Sequence, residues 1–281
     1  VTAASSWTKM AATFALVSVV LLTVLYKNSN ERVLETSEAL GADQAHRVST
    51  KDNIKALFQN KYWVILILTM LISFIVSGLG GINIYYAQYI LGDVSKVAII
   101  GMLSFAPIIA GSLIVPFIMA KLSKRAVMIL GNIVMLIGTG IIALFPTNFS
   151  MVIVGLVIRG LGIAPGAVAG FAMLGDVADY GEWKTGIRSD GLIFSAATFG
   201  EKVGSGIGGL ILGVVMSIGG YVAGAATQSV ATIFAIKAVF AYIPIILSVL
   251  SIVLMLFYDL DKNLPQIVKE IQARHHGDDQ D

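Results

Sequence analysis

Charged residues cluster most densely between Asp176 and Asp190, in a segment that joins two long apolar stretches. The segment holds four acidic residues, one lysine and one arginine. Ionised groups beside hydrocarbon need partners or water, because burying them alone is costly. We therefore expect this charged segment to mark the moving parts of the protein.

The apolar stretch after the charged segment has a polar face. At about 100° per residue, the spacing i, i+3, i+7 and i+10 places four polar residues on one side of a helix: Ser195, Thr198, Lys202 and Ser205. Roughly opposite lie small residues that let another helix approach closely: Gly200, Gly204 and Gly208. The pattern predicts a helix with one packing face and one face toward a ligand.

Lys202 lies about a dozen residues from the charged segment, about 18 Å deep at 1.5 Å per residue, near the bilayer midplane. A cation at that depth needs a carboxylate, a ligand or a water-filled cavity. A ligand-binding role and a structural ion pair with another helix both fit. Glu201 points about 100° away from Lys202, so we expect no direct pair between them. Glu201 could bind a coupling cation, accept a proton, or pair with Arg159 or Lys237.

A stretch rich in glycine and proline, residues 160–166, follows Arg159. It predicts a kink or discontinuity whose backbone lines a cavity, with Arg159 facing the interior. Pro244 predicts a bend in the last apolar stretch. Three tyrosines follow the second apolar stretch and fit either an interfacial belt or the mouth of a cavity for hydroxyl-rich ligands: Tyr85, Tyr86 and Tyr89.

The composition indicates a membrane protein. Of the 281 residues, 57% are hydrophobic and 13% charged, whereas soluble domains carry about 25% charged residues. The chain has no cysteine and three histidines, all in polar stretches, so we expect no metal site and no cofactor. Gly204 to Gly209 matches the dinucleotide fingerprint G-x-G-x-x-G, but inside an apolar helix rather than after a strand. We expect neither an enzyme nor a nucleic-acid partner.

Seven stretches are long and apolar enough to cross a bilayer as helices of about 20 residues. They cover residues 8–26, 62–82, 97–119, 126–146, 151–175, 191–218 and 230–257. None alternates with the period of a strand. Lysine and arginine concentrate on alternate connections and after the last span. By the positive-inside rule the N-terminus lies outside and the C-terminus in the cytoplasm. The sequence predicts an all-α, multi-pass protein of the cell membrane.

Several motifs together resemble a known transporter family. The charged segment reads D-x-x-D-Y-G-E-W-K-T-G-x-R from Asp176 to Arg188, and K-V-G-S-G follows from Lys202 to Gly206. G-L-G-I-A-P at 160–165 adds to the likeness. The chain thereby resembles the glycoside–pentoside–hexuronide:cation symporters, the group of the major facilitator superfamily that includes the melibiose carrier. The resemblance covers the whole chain, as helices 6–12 of a twelve-helix carrier.

The resemblance implies four parts. Residues 1–26 would be the last helix of the N-terminal bundle, 27–61 the central cytoplasmic loop, 62–258 the C-terminal six-helix bundle and 259–281 a cytoplasmic tail. Residues 52–60 could form an amphipathic surface helix or stay a solvated linker. The chain starts with valine and no signal pattern, so we expect a piece of a longer protein. The family's main cation-binding carboxylates lie in the N-terminal bundle, which is therefore the implied partner, and this piece alone should not transport.

The resemblance also implies roles for residues. Lys202 would lie near the sugar and the cation, and Thr198 would line the sugar pocket. The polar face adds Ser195 to this candidate site, and the other charges within the spans add Glu201 and Arg159. Five residues would form a cytoplasmic gate: Asp176, Asp179, Tyr180, Glu182 and Arg188. Ion pairs and charge–helix-end contacts suit a gate because they break when water enters.

The implied function is symport of a glycoside, pentoside or hexuronide with Na⁺ or H⁺, by alternating access. The same fold could carry a lysolipid or another amphiphile. A seven-helix receptor or retinal photosensor would share the orientation, and Lys237 would suit a Schiff base. However, residues 97–119 contain no acidic counter-ion for it.

Overall fold

The computed structural model describes residues 2–29 and 50–278. Every regular element in these ranges is helical, and seven helices are long and apolar enough to cross a membrane. The predicted all-α fold with seven spans is confirmed. The chain divides into two compact units, Val1–Asp52 and Asn53–Asp281.

The first unit contains helix α1, Thr2–Asn28. Every described side chain from Thr8 to Ser29 is exposed, although the helix is rich in leucine and valine. A helix that is apolar on all sides suits lipid or close packing against other helices rather than water. The predicted first span is confirmed, with the apolar helix running over Thr8–Asn28.

The second unit contains six spans and the helices that flank them. Short helical turns connect or interrupt the spans at Leu79–Gly81, Val94–Lys96 and Ala238–Tyr242, the last being a π-helical turn. The α-helices, with α2 beginning at the end of the first unit, are α2 (Thr50–Gln59), α3 (Lys61–Gly78), α4 (Ile82–Tyr89), α5 (Val97–Met119), α6 (Lys124–Leu144), α7 (Phe149–Thr185), α8 (Asp190–Ile218), α9 (Val230–Lys237), α10 (Ile243–Leu256) and α11 (Leu260–Asp278).

Side-chain caps set where several helices begin. Asn60, Ser123, Asn148 and Ser229 each accept a hydrogen bond from the backbone N–H three residues later. These bonds satisfy amides that the first helical turn leaves unpaired. At the other end of α7, Gly186 adopts a φ of 70°, which favours glycine and stops the helix.

The segment that includes Gly160 and Pro165 does not break its helix, because α7 is continuous from Phe149 to Thr185. Of the predicted kink or discontinuity, the discontinuity is wrong, whereas the prediction that this stretch lines a cavity is confirmed by Gly160, Gly162 and Gly166. The small residues also serve close packing: a side chain on Gly162 would meet the backbone of Met135, and Pro165 packs against Gly131. Pro244 does disturb its span, since the π-helical turn immediately precedes it.

The tyrosines after α3 are not a simple interfacial belt. The second span continues to Tyr89, past its predicted end at residue 82. Tyr86 is buried, stacks on Phe240 with ring centroids 3.8 Å apart and donates to the carbonyl of Pro146 at 2.6 Å. The belt interpretation fails for Tyr86, because Phe240 packs on its ring and the Pro146 carbonyl accepts its hydroxyl. Both partners are distant in sequence.

Two apolar clusters make up the core of the second unit. One surrounds Trp63, Met173 and Tyr258, and the other surrounds Tyr86 and Phe240. The first cluster includes Ile267 and Ile271 of α11, which are buried. The segment predicted as a tail therefore contains a helix that packs on the bundle. Of the two interpretations of residues 52–60, the helix is confirmed, because α2 covers residues 50–59 and buries Leu57.

Candidate functional site

A cavity of about 370 Å³ lies within the second unit, between α3, α4, α5, α6, α7 and α10. Most of its wall is apolar, and its polar lining comes from six helices: Ser73, Ser77, Asn83, Ser104, Asn132, Arg159 and Ser248. Ligand sites in proteins typically have volumes of about 300–1,000 Å³, with a few placed polar groups in an apolar wall. The cavity thus has the size and lining of a small-molecule site.

Several hydroxyls and amides of the lining are anchored to their own helices. Ser104 donates to the carbonyl of Ile100 at 2.7 Å, and the Asn132 amide donates to that of Met128 at 3.0 Å. These bonds hold the side chains in place while leaving the hydroxyl oxygen and the amide oxygen able to accept. A ligand with several hydroxyl groups would find fixed partners here.

Arg159 is the charged residue of the cavity lining. Its Nη1 donates to the carbonyl of Phe240 at 3.1 Å. In a regular helix that carbonyl would accept from residue 244, but Pro244 has no N–H. Arg159 therefore supplies the hydrogen bond that the proline cannot, and the guanidinium is anchored at the cavity wall.

The polar residues predicted on α8 lie outside the cavity. Ser195, Thr198 and Lys202 are exposed along one face of α8. The opposite face packs on α3, because a side chain on Gly204 or Gly208 would collide with that helix. The predicted division of α8 into a polar and a packing face is confirmed, although Gly200 has open space around it.

Lys202 and Glu201 form a direct ion pair, with Nζ 3.0 Å from Oε1. The expectation that they would not pair is wrong, and Glu201 contacts neither Arg159 nor Lys237. The expectation considered only the directions of the Cβ atoms. Both side chains are long and free to bend, being 75% and 41% exposed, so they close the gap around the helix.

The charged segment forms two ion-pair groups at one end of the second unit, here named the charged end. Lys124 Nζ lies 2.6 Å from Asp176. Arg188 lies 3.1 Å from Asp179, 2.7 Å from Glu182 and 2.6 Å from Asp190. Burial alone would lower the pKa of Arg188, but its hydrogen bonds to Asp190 and Glu182 outweigh burial and raise that pKa. The gate residues are thus paired within this unit.

Tyr180 is a packing residue of the charged end. Its ring meets that of Tyr62 edge to face, with centroids 4.7 Å apart. The hydroxyl of Tyr62 donates to Asp259 at 2.6 Å, and this bond is the first cause that lowers the pKa of Asp259. The aromatic layer therefore connects the beginning of α3 to the segment before α11.

Three residues that the sequence did not single out join elements at the charged end: Asn60, Asp259 and Glu270. Asn60 donates to the carbonyl of Val177 at 2.9 Å, and Glu270 accepts from the indole of Trp183 at 2.6 Å. Only Asn60 carried a recognisable signal, because it directly precedes a long apolar run, as N-caps do. The partners of the two acids are more than 80 residues away, as the separations of 197 and 87 show.

Comparison with known proteins identifies the family. Residues 2–262 match the family described as MFS/sugar transport protein. The chain is 30% identical over 277 residues, 97% of its length and 56% of the relative's, to the isoprimeverose transporter of Lactiplantibacillus pentosus. It is 29% identical over 263 residues to the uncharacterized symporter YnaJ of Bacillus subtilis (strain 168), which is 90% of this chain and 54% of that protein.

A further relative is the glucuronide carrier protein homolog of Escherichia coli (strain K12), 29% identical over 198 residues, 68% of this chain and 42% of that protein. The chain spans about half the length of the curated relatives it matches. The match to the family covers most of the chain and agrees with the seven apolar helices. The chain belongs to the MFS/sugar transport protein family, which confirms the resemblance of its motifs to the sugar:cation symporters.

Proposed function

We propose that the protein containing this chain carries a sugar or glycoside across the cell membrane together with Na⁺ or H⁺, by alternating access. The observation that carries the proposal is the cavity of about 370 Å³ with its fixed hydroxyl and amide groups. It lies in a bundle of apolar helices whose family transports sugars. The relatives include one named as an isoprimeverose transporter, one named as a glucuronide carrier protein homolog and one named as a symporter.

The Lys202–Glu201 pair supports a second bundle as partner. Both residues lie within a helix long and apolar enough to span the membrane, and Lys202 is 75% exposed. A charged pair in direct contact with lipid tails is costly. A neighbouring bundle or a water-filled path therefore faces this side of α8, and Lys202 and Glu201 are the groups of this chain that would sense a coupling cation or proton there.

The charged end supports an inward orientation and a gate. Its basic residues include Lys61, Lys124, Lys184 and Arg188, and by the positive-inside rule they support a cytoplasmic position for it. The side chain of Arg188 is 48% exposed despite its three carboxylate partners. Partly exposed ion pairs of this kind are worth little individually and exchange partners readily. Arg188, Asp179 and Glu182 therefore suit a gate that reforms in each transport cycle.

Transport by the full-length protein in proteoliposomes tests the proposal. Labelled glycosides would be supplied under an imposed Na⁺ or H⁺ gradient, with wild-type protein, Lys202→Ala and Lys121→Ala. Lys121 is an exposed lysine near the charged end and is the matched control. We expect gradient-driven accumulation by wild type and Lys121→Ala, and at least a tenfold loss in Lys202→Ala.

Two results would contradict the proposal. Wild-type accumulation by Lys202→Ala would remove the assignment of Lys202 to coupling. Failure of folded wild-type protein to accumulate any glycoside under either gradient would remove sugar symport. Accumulation of a lysolipid by the same vesicles would then support the amphiphile alternative, which the apolar part of the cavity wall also accommodates.

A further inference from the structure

We infer that the charged end carries a docking site for an anionic phospholipid, formed by α2 and the lysines around its last turn. Ile54 and Phe58 enter the boundary between headgroups and acyl chains, and Lys55, Lys61 and Lys184 contact the phosphates. This lipid site is separate from the cavity, and it depends neither on the sugar nor on the coupling ion of the proposed function.

The chain changes direction between α2 and the span that follows it. Asn60, which separates α2 from α3, has an extended backbone with φ −87° and ψ 96°. Across this turn the ring of Phe58 meets that of Trp63 edge to face, with centroids 5.3 Å apart, and Leu57 is buried in the same apolar cluster as Trp63. Because α3 begins a span at Lys61, α2 lies at the level where the chain enters the membrane.

Part of the α2 surface is apolar and uncovered. Ile54 and Phe58 lie four residues apart, on one face of the helix, and they are 44% and 67% exposed. The neighbouring Leu57 is 6% exposed, so α2 packs on the bundle by one side only. Apolar side chains of a helix at a membrane surface typically enter the boundary between headgroups and acyl chains by about 5–10 Å. The two exposed side chains are therefore placed to enter the bilayer that the adjoining span crosses.

Lys55 borders this apolar face. It is exposed and lies three residues before Phe58, on the adjoining part of the helix surface. A lysine at such a border can lay its aliphatic chain along the hydrocarbon while its ammonium group reaches the phosphates. Neither Lys55 nor Lys184 has a carboxylate within ion-pair distance in the part of the chain that the structure describes. Their charges are thus available to an anionic lipid.

Two further lysines lie at the end of α2. The Nζ of Lys184 donates to the carbonyl of Gln59, the last residue of α2, at 2.8 Å. Lys61 begins the next helix; its side chain is 58% exposed, and its contact with Asp259 is long, at 3.5 Å. Each basic residue near an anionic membrane surface typically strengthens binding about fivefold. Cations and apolar side chains side by side at this level match the phosphate and the acyl chains of one phospholipid.

A lipid bound here would also hold the charged end in place. Asn60, next to α2, donates to the carbonyl of Val177 in α7 at 2.9 Å, and Lys184 of α7 donates back to the end of α2. Anchoring α2 at the membrane surface therefore restrains the end of α7, which carries the predicted gate residues Asp179 and Glu182.

A fluorescent probe on α2 tests the lipid site in the full-length protein. These 281 residues contain no cysteine, so Ile54→Cys gives this chain a single attachment point for bimane, with cysteines elsewhere replaced by serine. The protein would be reconstituted in equal mixtures of phosphatidylcholine and phosphatidylglycerol, in which one of the two lipids carries a nitroxide quencher near the headgroup end of its acyl chain. Gln59→Cys, on another side of α2, and Leu144→Cys, 76% exposed at the end of α6 away from the charged end, are the control sites.

We expect bimane at position 54 to be quenched by both lipids, and at least twofold more strongly by phosphatidylglycerol. Quenching at position 59 should be weaker, and quenching at position 144 should not distinguish the two lipids. Lys55→Glu should abolish the preference at position 54, whereas Lys55→Arg and the exposed Lys121→Glu should retain it. High salt should reduce the preference, because it screens the attraction between lysine and phosphate.

Three results would overturn the lipid site. Quenching at position 54 no stronger than at position 59 would place this face of α2 in water. Protection of position 54 from both lipid quenchers and from aqueous iodide would mean that another part of the protein covers it. Equal quenching by the two lipids, or a preference that survives in Lys55→Glu, would remove the recognition of anionic headgroups by Lys55. Each of these results leaves the proposed transport of a sugar standing, because none involves the cavity.

Discussion

Lys124 Nζ lies 2.6 Å from both carboxylate oxygens of Asp176, a bridge that joins α6 to α7 across 52 positions of sequence. The side chain of Asp176 is 10% exposed and that of Lys124 29%. Water therefore shields this pair less than it shields the contacts of Arg188 with Asp179 and Asp190, whose side chains are 28% and 44% exposed. Removing one partner of a buried pair is costly because the other charge stays behind uncompensated. The Lys124–Asp176 pair therefore stabilises the packing of α6 and α7, and Asp176 is also a residue of the predicted gate.

Lys124→Met and Asp176→Asn should each destabilise the protein. Because the pair is partly shielded, we expect a cost between the roughly 1 kcal/mol of exposed pairs and the roughly 3–5 kcal/mol of fully buried ones. The double substitution should cost less than the sum of the two. Melting temperatures of the detergent-solubilised full-length protein measure this, with Lys121→Met as control. Additive effects would show that the two residues are not coupled.

Gly208→Ala should weaken the packing of α8 on α3, whereas Gly206→Ala should not. A side chain on Gly208 would strike the carbonyl of Ile75 and lie 2.8 Å from Gly78 Cα, while one on Gly206 would meet nothing within 4 Å. Overpacking typically costs about 1–3 kcal/mol, and an unobstructed glycine-to-alanine change in a helix gains up to about 1 kcal/mol. Thermal unfolding of both variants checks this. Similar melting temperatures would mean that α3 and α8 are not in close contact.

Features that repeat along the helix could be predicted from the sequence. The spans were predicted from continuous apolar runs. The assignment of Lys202 to the polar face of α8 and of Gly204 to the packing face was predicted from their angular separation. Such features need only the geometry of one helix. The same geometry failed for Glu201 and Lys202, because it places Cβ atoms and says nothing of how far long, exposed side chains bend.

Contacts between distant segments could not be predicted. Nothing in the sequence pairs Asp176 with Lys124, or Arg159 with the carbonyl of Phe240. These contacts depend on which helices pack against each other. The residue pattern of one sequence does not show this. Tyr86 is an example. Its residue type and depth suggested the membrane–water interface, but it stacks on Phe240 and lies in the core.

The docking of α11 should depend on pH through Glu270. The hydrogen bond from the Trp183 indole, more than any other contact, lowers the pKa of Glu270. Because the pKa of Glu270 is lower in the docked state, ionised Glu270 stabilises the docking of α11. This stabilisation is fully present above the unfolded pKa of about 4.3. It is lost as the pH falls through the lowered value.

Hydrogen exchange of α11 amides in the full-length protein, corrected for the intrinsic pH dependence, measures this docking. Protection of the residues around Glu270 should decrease below about pH 4, near the unfolded pKa of glutamate. In Glu270→Gln this pH-dependent loss of protection should disappear. Asn263→Ala, an exposed change on the same helix, should leave the loss unchanged. If the loss of protection persists in Glu270→Gln, other acidic residues cause it.

Asn60 should contribute more to stability than an ordinary helix cap. Its side-chain oxygen accepts from the Trp63 amide at 3.1 Å, and its nitrogen donates to the Val177 carbonyl at 2.9 Å, with 2% of the residue exposed. Asn148 caps α7 in the same way, but it is exposed, and its side chain makes no second hydrogen bond to the part of the chain that the structure describes. The two asparagines therefore form a matched pair.

Asn148→Ala should cost about 1 kcal/mol, the usual value of a cap. Asn60→Ala should cost about 0.5–1.5 kcal/mol more, because it also removes the hydrogen bond to the Val177 carbonyl, which keeps only its partner within α7. Asn60→Asp keeps the cap and removes the donor, so it should lose the second contribution and add the penalty of a buried carboxylate. Thermal unfolding of the three variants in detergent resolves these terms. If Asn60→Ala and Asn148→Ala unfold alike, the contact between Asn60 and Val177 adds nothing, and the start of α3 is held to α7 by the aromatic contacts of Tyr62 instead.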